Sequence, residues 1–209
     1  MTELIVALDG PGKYTSIRDL AYALKDEAGI EWIKVGPQSL SHRFLPMSNR
    51  VSARFKIFLD LKLADTRDTV RKAVRRFEHA GIAAVSTFTH DATIAAMEVR
   101  GALQVWQIGR LSESTAAWNA DRSCISTGII CPGEDACSWK AHWHEELTVV
   151  VPGVRLHDTD EFHGHHLGCK CEDIVGIADY AVVGRPIWSA AAPVSVALEY
   201  KRALEGTPS

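Results

Sequence analysis

Three charged residues with close spacing follow an apolar run in the first third of the chain. Asp60, Lys62 and Asp65 come directly after Ile57-Phe58-Leu59, within the segment FKIFLDLKLADTRDTV at positions 55–70. The apolar run is typical of a short buried strand, and alternation along a strand places Asp60 and Lys62 on the same side. A carboxylate and an ammonium there are costly to desolvate unless each has a partner or a function, such as charge stabilisation or proton transfer. A surface turn with an incidental ion pair is the other interpretation of this segment.

The elements that must position these charges are predicted from eight short β-prone runs separated by helix-like segments. The predicted strands are Leu4–Leu8, Trp32–Gly36, Ile57–Asp60, Ala83–Ser86, Ala102–Ile108, Cys124–Cys131, Leu147–Val151 and Tyr180–Val183. Between the first two, Ile17, Leu20, Ala21 and Leu24 share one face of an amphipathic helix. A closing helix is predicted over Pro193–Leu204.

Strand and helix alternating in this way predict an α/β fold, a (β/α)₈ TIM barrel that occupies residues 1–209 as a single domain. The chain of 209 residues is near the short end for that fold, at roughly 200 residues. An open doubly wound sheet is the structural alternative. The barrel is favoured because charged residues stand at or near the C-terminal ends of predicted strands, where such barrels carry chemistry. These residues are Asp9, Lys34, Asp60, Lys62 and Arg185.

Composition restricts the class of protein. Apolar residues make up 46% and charged residues 23% of the chain, which is typical of a soluble globular protein. The net charge of −3 does not indicate a surface for nucleic acid. No apolar run is long enough to span a bilayer, and the N-terminus lacks the basic start of a signal peptide. We therefore expect a cytoplasmic protein without a membrane partner, and five cysteines do not suggest a disulfide framework.

Short motifs spread from Leu4 to about Pro193 resemble the orotidine 5′-phosphate decarboxylase family. They are ALD ending at Asp9, KVG beginning at Lys34, DLKLAD at 60–65, Thr69, VPG around Pro152 and VVGRPI around Arg185. The D-x-K-x-x-D set alone is shared with phosphosugar lyases of the same superfamily. The motif VVGRPI and the lysine on the second strand make the resemblance more specific.

The resemblance implies a role for each matching residue. The implied catalytic array alternates in charge and consists of Lys34, Asp60, Lys62 and Asp65. The implied substrate-binding residues contact the ribose or the phosphate, or belong to the loop that covers the phosphate. They are Asp9, Thr69, Pro152, His166, Gly184 and Arg185. Asp65 and Thr69 would reach the neighbouring subunit's site, which implies a homodimer with shared active sites and a small-molecule nucleotide as substrate.

The implied reaction removes carbon dioxide from C6 of orotidylate without a metal or organic cofactor. The anion left on C6 is poorly delocalised, so a preorganised cation at that carbon is needed. Lys62 would supply this charge and then deliver the proton as general acid. Asp60 and Asp65 would keep Lys62 positioned and charged.

Several positions depart from the family pattern. They are Thr66-Arg67 in place of Ile-Pro, Phe88 in place of a histidine, Gly109 in place of a serine with Ser112 or Ser114 as stand-ins, and His165 or His166 in place of the phosphate-loop glutamine. These changes leave the charged array intact but affect base recognition and phosphate affinity.

The loop near positions 157–171 also contains residue types that bind soft metals. They are His157, His163, His165, His166, Cys169 and Cys171. Because their spacing fits no zinc motif, a polar loop is the favoured interpretation and no metal site is predicted.

Two other functions remain open. A magnesium-dependent phosphosugar lyase of the same superfamily is one, although such relatives tend to have a carboxylate where Lys34 stands. The second is a non-catalytic nucleotide-binding protein that kept the fold while its base-recognition positions changed.

Overall fold

A computed structural model describes residues 1–41, 49–109, 126–143, 146–156 and 168–206. Eight parallel strands form the wall of a barrel, namely β1 (Glu3–Ala7), β2 (Trp32–Val35), β3 (Lys56–Leu63), β4 (Ala84–Thr87), β5 (Gln104–Ile108), β6 (Gly128–Ile130), β7 (Thr148–Pro152) and β10 (Tyr180–Val183). A separate two-stranded sheet pairs β8 (Val154–Arg155) with β9 (Cys169–Lys170).

Helices follow most of these strands. The described helices are α1 (Ile17–Ala28), α2 (Pro37–Ser41), α3 (Asn49–Ser52), α4 (Arg67–His79), α5 (His90–Met97), α6 (Gly133–Trp143), α7 (Cys171–Ile174), α8 (Arg185–Trp188) and α9 (Pro193–Leu204). The predicted closing helix is therefore confirmed over its full range.

Closure of the sheet decides between the two predicted architectures. Each barrel strand pairs with the next in the chain, and β10 pairs with β1, where Ile5 faces Val182. An open doubly wound sheet would leave two edges unpaired, so the (β/α)₈ barrel is confirmed and the open sheet is wrong. The predicted strand at 124–131 is shorter among the described residues, where it spans Gly128–Ile130.

Helix α1 illustrates how local sequence signals fix the elements outside the barrel. Its N-cap Ser16 accepts a hydrogen bond from the backbone of Asp19, and its C-cap Gly29 has a left-handed φ of 63°, which favours glycine. The predicted apolar face is buried, with Ile17, Leu20, Ala21 and Leu24 at 2% exposure or less. This face packs into the layer between the helices and the barrel wall.

Aromatic side chains fill the lower interior of the barrel. The ring of Trp106 lies 4.7 Å from that of Phe58, 5.8 Å from that of Trp32 and 5.4 Å from that of Tyr180. Trp32 and Trp106 are buried, so both serve packing. The open space of the barrel lies above this aromatic layer, at the C-terminal mouth.

Replacing Trp106 by alanine should lower the free energy of unfolding by about 3–5 kcal/mol, because a fully buried ring with three aromatic neighbours leaves a cavity. Urea denaturation of the wild type and the variant measures this. The exposed Glu27 of α1 provides the control, since Glu27→Ala should change stability by less than about 0.5 kcal/mol. Equal midpoints for the two variants would contradict the packing role.

Candidate active site at the barrel mouth

A cavity of about 550 Å³ opens at the C-terminal ends of the barrel strands, within the size range of small-molecule sites. Its charged lining residues are Asp9, Lys34, Asp60, Lys62, Arg155 and Arg185. Its apolar lining includes Ala7, Phe58, Ile108, Ile130 and Val182. Five of the six charged residues are ones that the sequence singled out, and Pro152 and Gly184 also line this cavity.

Strand alternation brings the lysines and aspartates to the mouth. Trp32 and Phe58 belong to the aromatic interior, so residues two positions further along β2 and β3 also point inward. Lys34 and Asp60 occupy those positions, directly above the aromatic layer. Asp9 follows the end of β1, which pairs with β2 through Ala7 and Lys34.

The charges form a continuous chain of alternating sign. Lys34 Nζ lies 3.3 Å from Asp9 Oδ1 and 3.6 Å from Asp60 Oδ2. Lys62 Nζ donates a hydrogen bond to Asp60 Oδ2 at 2.9 Å. The side chain of Lys62 is 45% exposed, whereas those of Lys34 and Asp60 are 14% and 16% exposed. Lys62 is thus the member of the array most open to a bound molecule.

Asp60 is held as a carboxylate. Burial alone would raise its pKa, but the charges of Lys34 and Lys62 and the hydrogen bonds from Lys62 and Ser86 outweigh burial and lower the pKa below the ordinary 3.8. Because the folded-state pKa is the lower one, this group stabilises the fold above about pH 4 and loses that contribution as the pH falls further.

Lys62 has an unusual backbone conformation. Its φ of 51° makes it the only non-glycine residue with positive φ in the described part of the chain. The pairing of β3 with β4 runs from Leu59↔Val85 to Leu63↔Thr87, so β3 contains two extra residues there. A left-handed non-glycine residue costs about 1–3 kcal/mol, and such strain concentrates at functional sites. Lys62 lies within this bulge and lines the cavity.

Two guanidinium groups, those of Arg155 and Arg185, also line the cavity. Arg185 is the first residue of α8, and the preceding Gly184 lies against β1, where an added Cβ would be 3.3 Å from that of Ala7. Arg155 on β8 is 6% exposed and was not predicted as a site residue. A signal for it existed, because Arg155 stands only three positions after Pro152. Guanidinium groups are suited to bind a phosphate.

Two predicted site residues lie outside this cavity in the single chain. Asp65 and Thr69 are exposed at the start of α4. Asp65 Oδ1 accepts a hydrogen bond from the backbone of Thr66 at 2.6 Å, and the hydroxyls of Thr66 and Thr69 are 3.0 Å apart. Both residues are therefore on a surface that a neighbouring subunit could contact.

The described ends of β5 and β6 present apolar side chains to the cavity. Gly109 offers no side chain, and an added Cβ would lie 3.1 Å from Ile129 Cδ1. Ile108 and Ile130 line the cavity, whereas Phe88 packs at the edge of the aromatic interior. Four further residues named from the sequence lie outside the described residues: Ser112, Ser114, His165 and His166.

Neither a metal cluster nor a membrane span is found within the described ranges. No group of three His, Cys, Asp or Glu side chains there could hold a metal ion. Cys169 and Cys171 belong to these ranges, while His157, His163, His165 and His166 do not. Burial raises the pKa of the Cys169 thiol to about 11, which disfavours a metal-binding thiolate. None of the described helices is long and apolar enough to cross a bilayer.

Comparison with known proteins connects this geometry to a family. Orotidine 5′-phosphate decarboxylase of Lawsonia intracellularis is 25% identical over 94% of this chain and 96% of that protein. The enzyme of the same name from Rhodopseudomonas palustris is 28% identical over 93% of this chain and 90% of its own length.

Solved structures agree on the fold. Orotidine 5′-phosphate decarboxylase of Pyrococcus horikoshii OT3 has a TM-score of 0.76 at 23% identity, covering 97% of this chain and 99% of that one. The Methanocaldococcus jannaschii enzyme in complex with the inhibitor BMP has a TM-score of 0.73 at 21% identity, covering 98% and 99%. The sequence model of the orotidine 5′-phosphate decarboxylase / HUMPS family matches residues 2–200. The chain belongs to this family.

Proposed function

We propose that the protein is a carboxy-lyase that converts orotidine 5′-phosphate to uridine 5′-phosphate in pyrimidine biosynthesis, without a metal or organic cofactor. The observation that carries the proposal is the chain of contacts from Asp9 through Lys34 and Asp60 to Lys62 inside one cavity. Membership of the family supports the reaction class.

The cavity orients such a substrate by its charge. Arg185 and Arg155 line it on the side of β8 and α8, and they offer guanidinium groups to the dianionic phosphate. Asp9, beside Lys34, offers its carboxylate to the ribose hydroxyls. The pyrimidine then lies over the apolar floor formed by Phe58, Ile108 and Ile130, with its C6 toward Lys62.

In the proposed reaction the bond from C6 to the carboxylate breaks and carbon dioxide leaves. The bonding electron pair stays on C6, where the ammonium of Lys62 stabilises it. Lys62 then transfers a proton from Nζ to C6, and solvent restores its charge. Asp60 fixes the direction of the ammonium through the 2.9 Å hydrogen bond.

The active unit is proposed to be a homodimer. Asp65 and Thr69 are exposed at the start of α4 and do not line the cavity of their own chain. In the proposed dimer Asp65 approaches Lys62 of the partner subunit and extends the alternating array. This arrangement gives an exposed acid at the end of β3 a function.

The proposal is tested by the loss of orotidylate absorbance on adding pure protein in the presence of a chelator. Turnover by the wild type supports a metal-independent decarboxylase. Tight uridylate binding without turnover would instead favour a non-catalytic nucleotide-binding protein. This outcome is worth measuring because Gly109 has no side chain where the family has a serine that contacts the base. Activity that disappears with the chelator would contradict a reaction without a metal.

Arg155→Gln is expected to lower kcat/KM for orotidine 5′-phosphate about tenfold to a hundredfold, because a hydrogen bond to a charged group is worth about 1.5–3 kcal/mol. The nucleoside orotidine lacks the phosphate, so its slow turnover should not change. Arg202→Gln, at an exposed position of α9, is the control. An equal loss with both substrates would contradict phosphate binding by Arg155.

A further inference from the structure

Ser86 makes two hydrogen bonds that connect separate parts of the charged array. It lies on β4, is fully buried and does not line the cavity. Its Oγ donates to Asp60 Oδ1 at 2.9 Å and accepts from the backbone amide of Lys62 at 2.8 Å. The hydroxyl therefore acts as donor in one hydrogen bond and as acceptor in the other, and both partners belong to the bulged strand β3.

For Lys62, this contact takes the place of a regular ladder bond. The pairing of β3 with β4 is interrupted between Leu59 and Leu63, and Lys62 within the interruption has a φ of 51°. A strained backbone persists only where its surroundings hold it. The hydroxyl of Ser86 supplies such a restraint at the amide of the strained residue itself.

For Asp60, the same hydroxyl fixes the rotation of the carboxylate. Lys34 and Lys62 both contact Oδ2, at 3.6 and 2.9 Å. Ser86 occupies Oδ1, so the plane of the carboxylate is set from both sides. Burial raises the pKa of Asp60, and the Ser86 hydrogen bond helps to lower it, after the charges of Lys34 and Lys62 and the Lys62 hydrogen bond.

We propose that Ser86 is a positioning residue for decarboxylation, which ties the Asp60 carboxylate to the turn that presents Lys62. The inference rests on the proposed function and deepens it, because it assigns a residue outside the cavity to the same site. Without the hydroxyl, Lys62 loses the restraint on its backbone and Asp60 the restraint on its carboxylate together.

The test compares two deletions of one hydroxyl each, at adjacent positions of β4. Ser86→Ala should lower kcat about tenfold to a hundredfold with little change in KM, since a displacement of about 1 Å at the reacting groups has an effect of that size. Thr87→Val is the matched control, because Thr87 is equally buried but hydrogen-bonds Thr93 at 2.8 Å, and neither lines the cavity. Its kcat should stay within about twofold of the wild type.

A second measurement does not depend on turnover. The groups facing Asp60 are Lys34 from β2, Lys62 from its own strand and Ser86 from β4, with Asp9 acting through Lys34. Removing the Ser86 hydroxyl should therefore raise the pKa of Asp60. Carboxyl ¹³C NMR, with Asp60→Asn to assign the signal, should show a titration at higher pH in Ser86→Ala than in the wild type or Thr87→Val.

Both readouts must move for the inference to stand. If either kcat or the Asp60 titration of Ser86→Ala equals that of Thr87→Val, positioning by Ser86 is wrong. Ser86→Cys replaces the hydroxyl by a thiol of similar size that hydrogen-bonds only weakly. It should lower kcat and raise the pKa of Asp60 in the same direction as Ser86→Ala, so it serves as the test if the alanine variant does not fold. Should the wild type not turn over, the proposed function fails, and the NMR titration then tests only the contact between Ser86 and the Asp60 carboxylate.

Discussion

Lys62→Ala is expected to reduce kcat for orotidine 5′-phosphate by about 10⁴-fold, while the protein remains folded. The variant loses two contributions at once: the cation at the developing carbanion and the proton donor, each worth about 10²-fold or more. Because the side chain is half-exposed at the cavity mouth, its removal leaves no buried cavity. Stopped assays of carbon dioxide release measure the residual rate.

Lys72→Ala is the control for this experiment. Lys72 lies on the outer face of α4 with a side chain that is 69% exposed, and its ion pair is with Asp68 in the same helix. If Lys72→Ala keeps the wild-type kcat while Lys62→Ala loses it, the loss is due to the place of Lys62 in the cavity and not to the removal of a lysine as such. Comparable rates in all three proteins would refute the role of Lys62.

Asp65→Ala is expected to lower kcat/KM by about 10²–10³-fold, although Asp65 does not line the cavity of its own chain. The physical reason is that, in the proposed dimer, Lys62 of the partner subunit would have Asp65 as a second carboxylate neighbour and would lose it. Mixing inactive Lys62→Ala with inactive Asp65→Ala should then restore activity. Half of randomly assembled dimers are hybrids with one intact site of two, so recovery should reach about a quarter of the wild-type rate.

The mixing experiment separates two explanations of an Asp65 effect. If the carboxylate only holds the residue before α4 through its bond to the Thr66 amide, both sites of each hybrid would still lack a needed group. No recovery on mixing would therefore contradict the shared site while leaving the role of Lys62 intact. Thr69→Ala in place of Asp65→Ala should give a smaller loss with the same pattern of recovery.

Period-two alternation and strand count were enough to predict much of the barrel and its mouth. Lys34 and Asp60 follow buried aromatic residues by two positions on β2 and β3, so their common direction could be derived before any coordinates. Closure of the sheet could be predicted because eight strands alternate with helices. The residues Asp9 and Arg185 reach the same cavity because they follow the ends of adjacent strands.

Other features depend on contacts that local sequence does not encode. The bulge at Lys62 arises where β3 has two more residues than β4, a count that only the pairing reveals. Ser86 looks like an ordinary strand residue until its hydroxyl is seen between Asp60 and the Lys62 amide. Arg155 reaches the cavity from β8, a two-residue strand whose pairing with β9 local sequence does not predict. All three features emerge from tertiary pairing rather than from propensity or periodicity.

The central claim, that the ammonium of Lys62 meets C6 of the pyrimidine, is tested most directly by hydrogen exchange into the product. Uridine 5′-phosphate incubated with the protein in D₂O can exchange its C6 proton only if a base at that carbon removes it. By microscopic reversibility, neutral Lys62 is that base. Proton NMR should show loss of the C6 signal with the wild type and none with Lys62→Ala. Equal exchange by both proteins, or by neither, would contradict the claim.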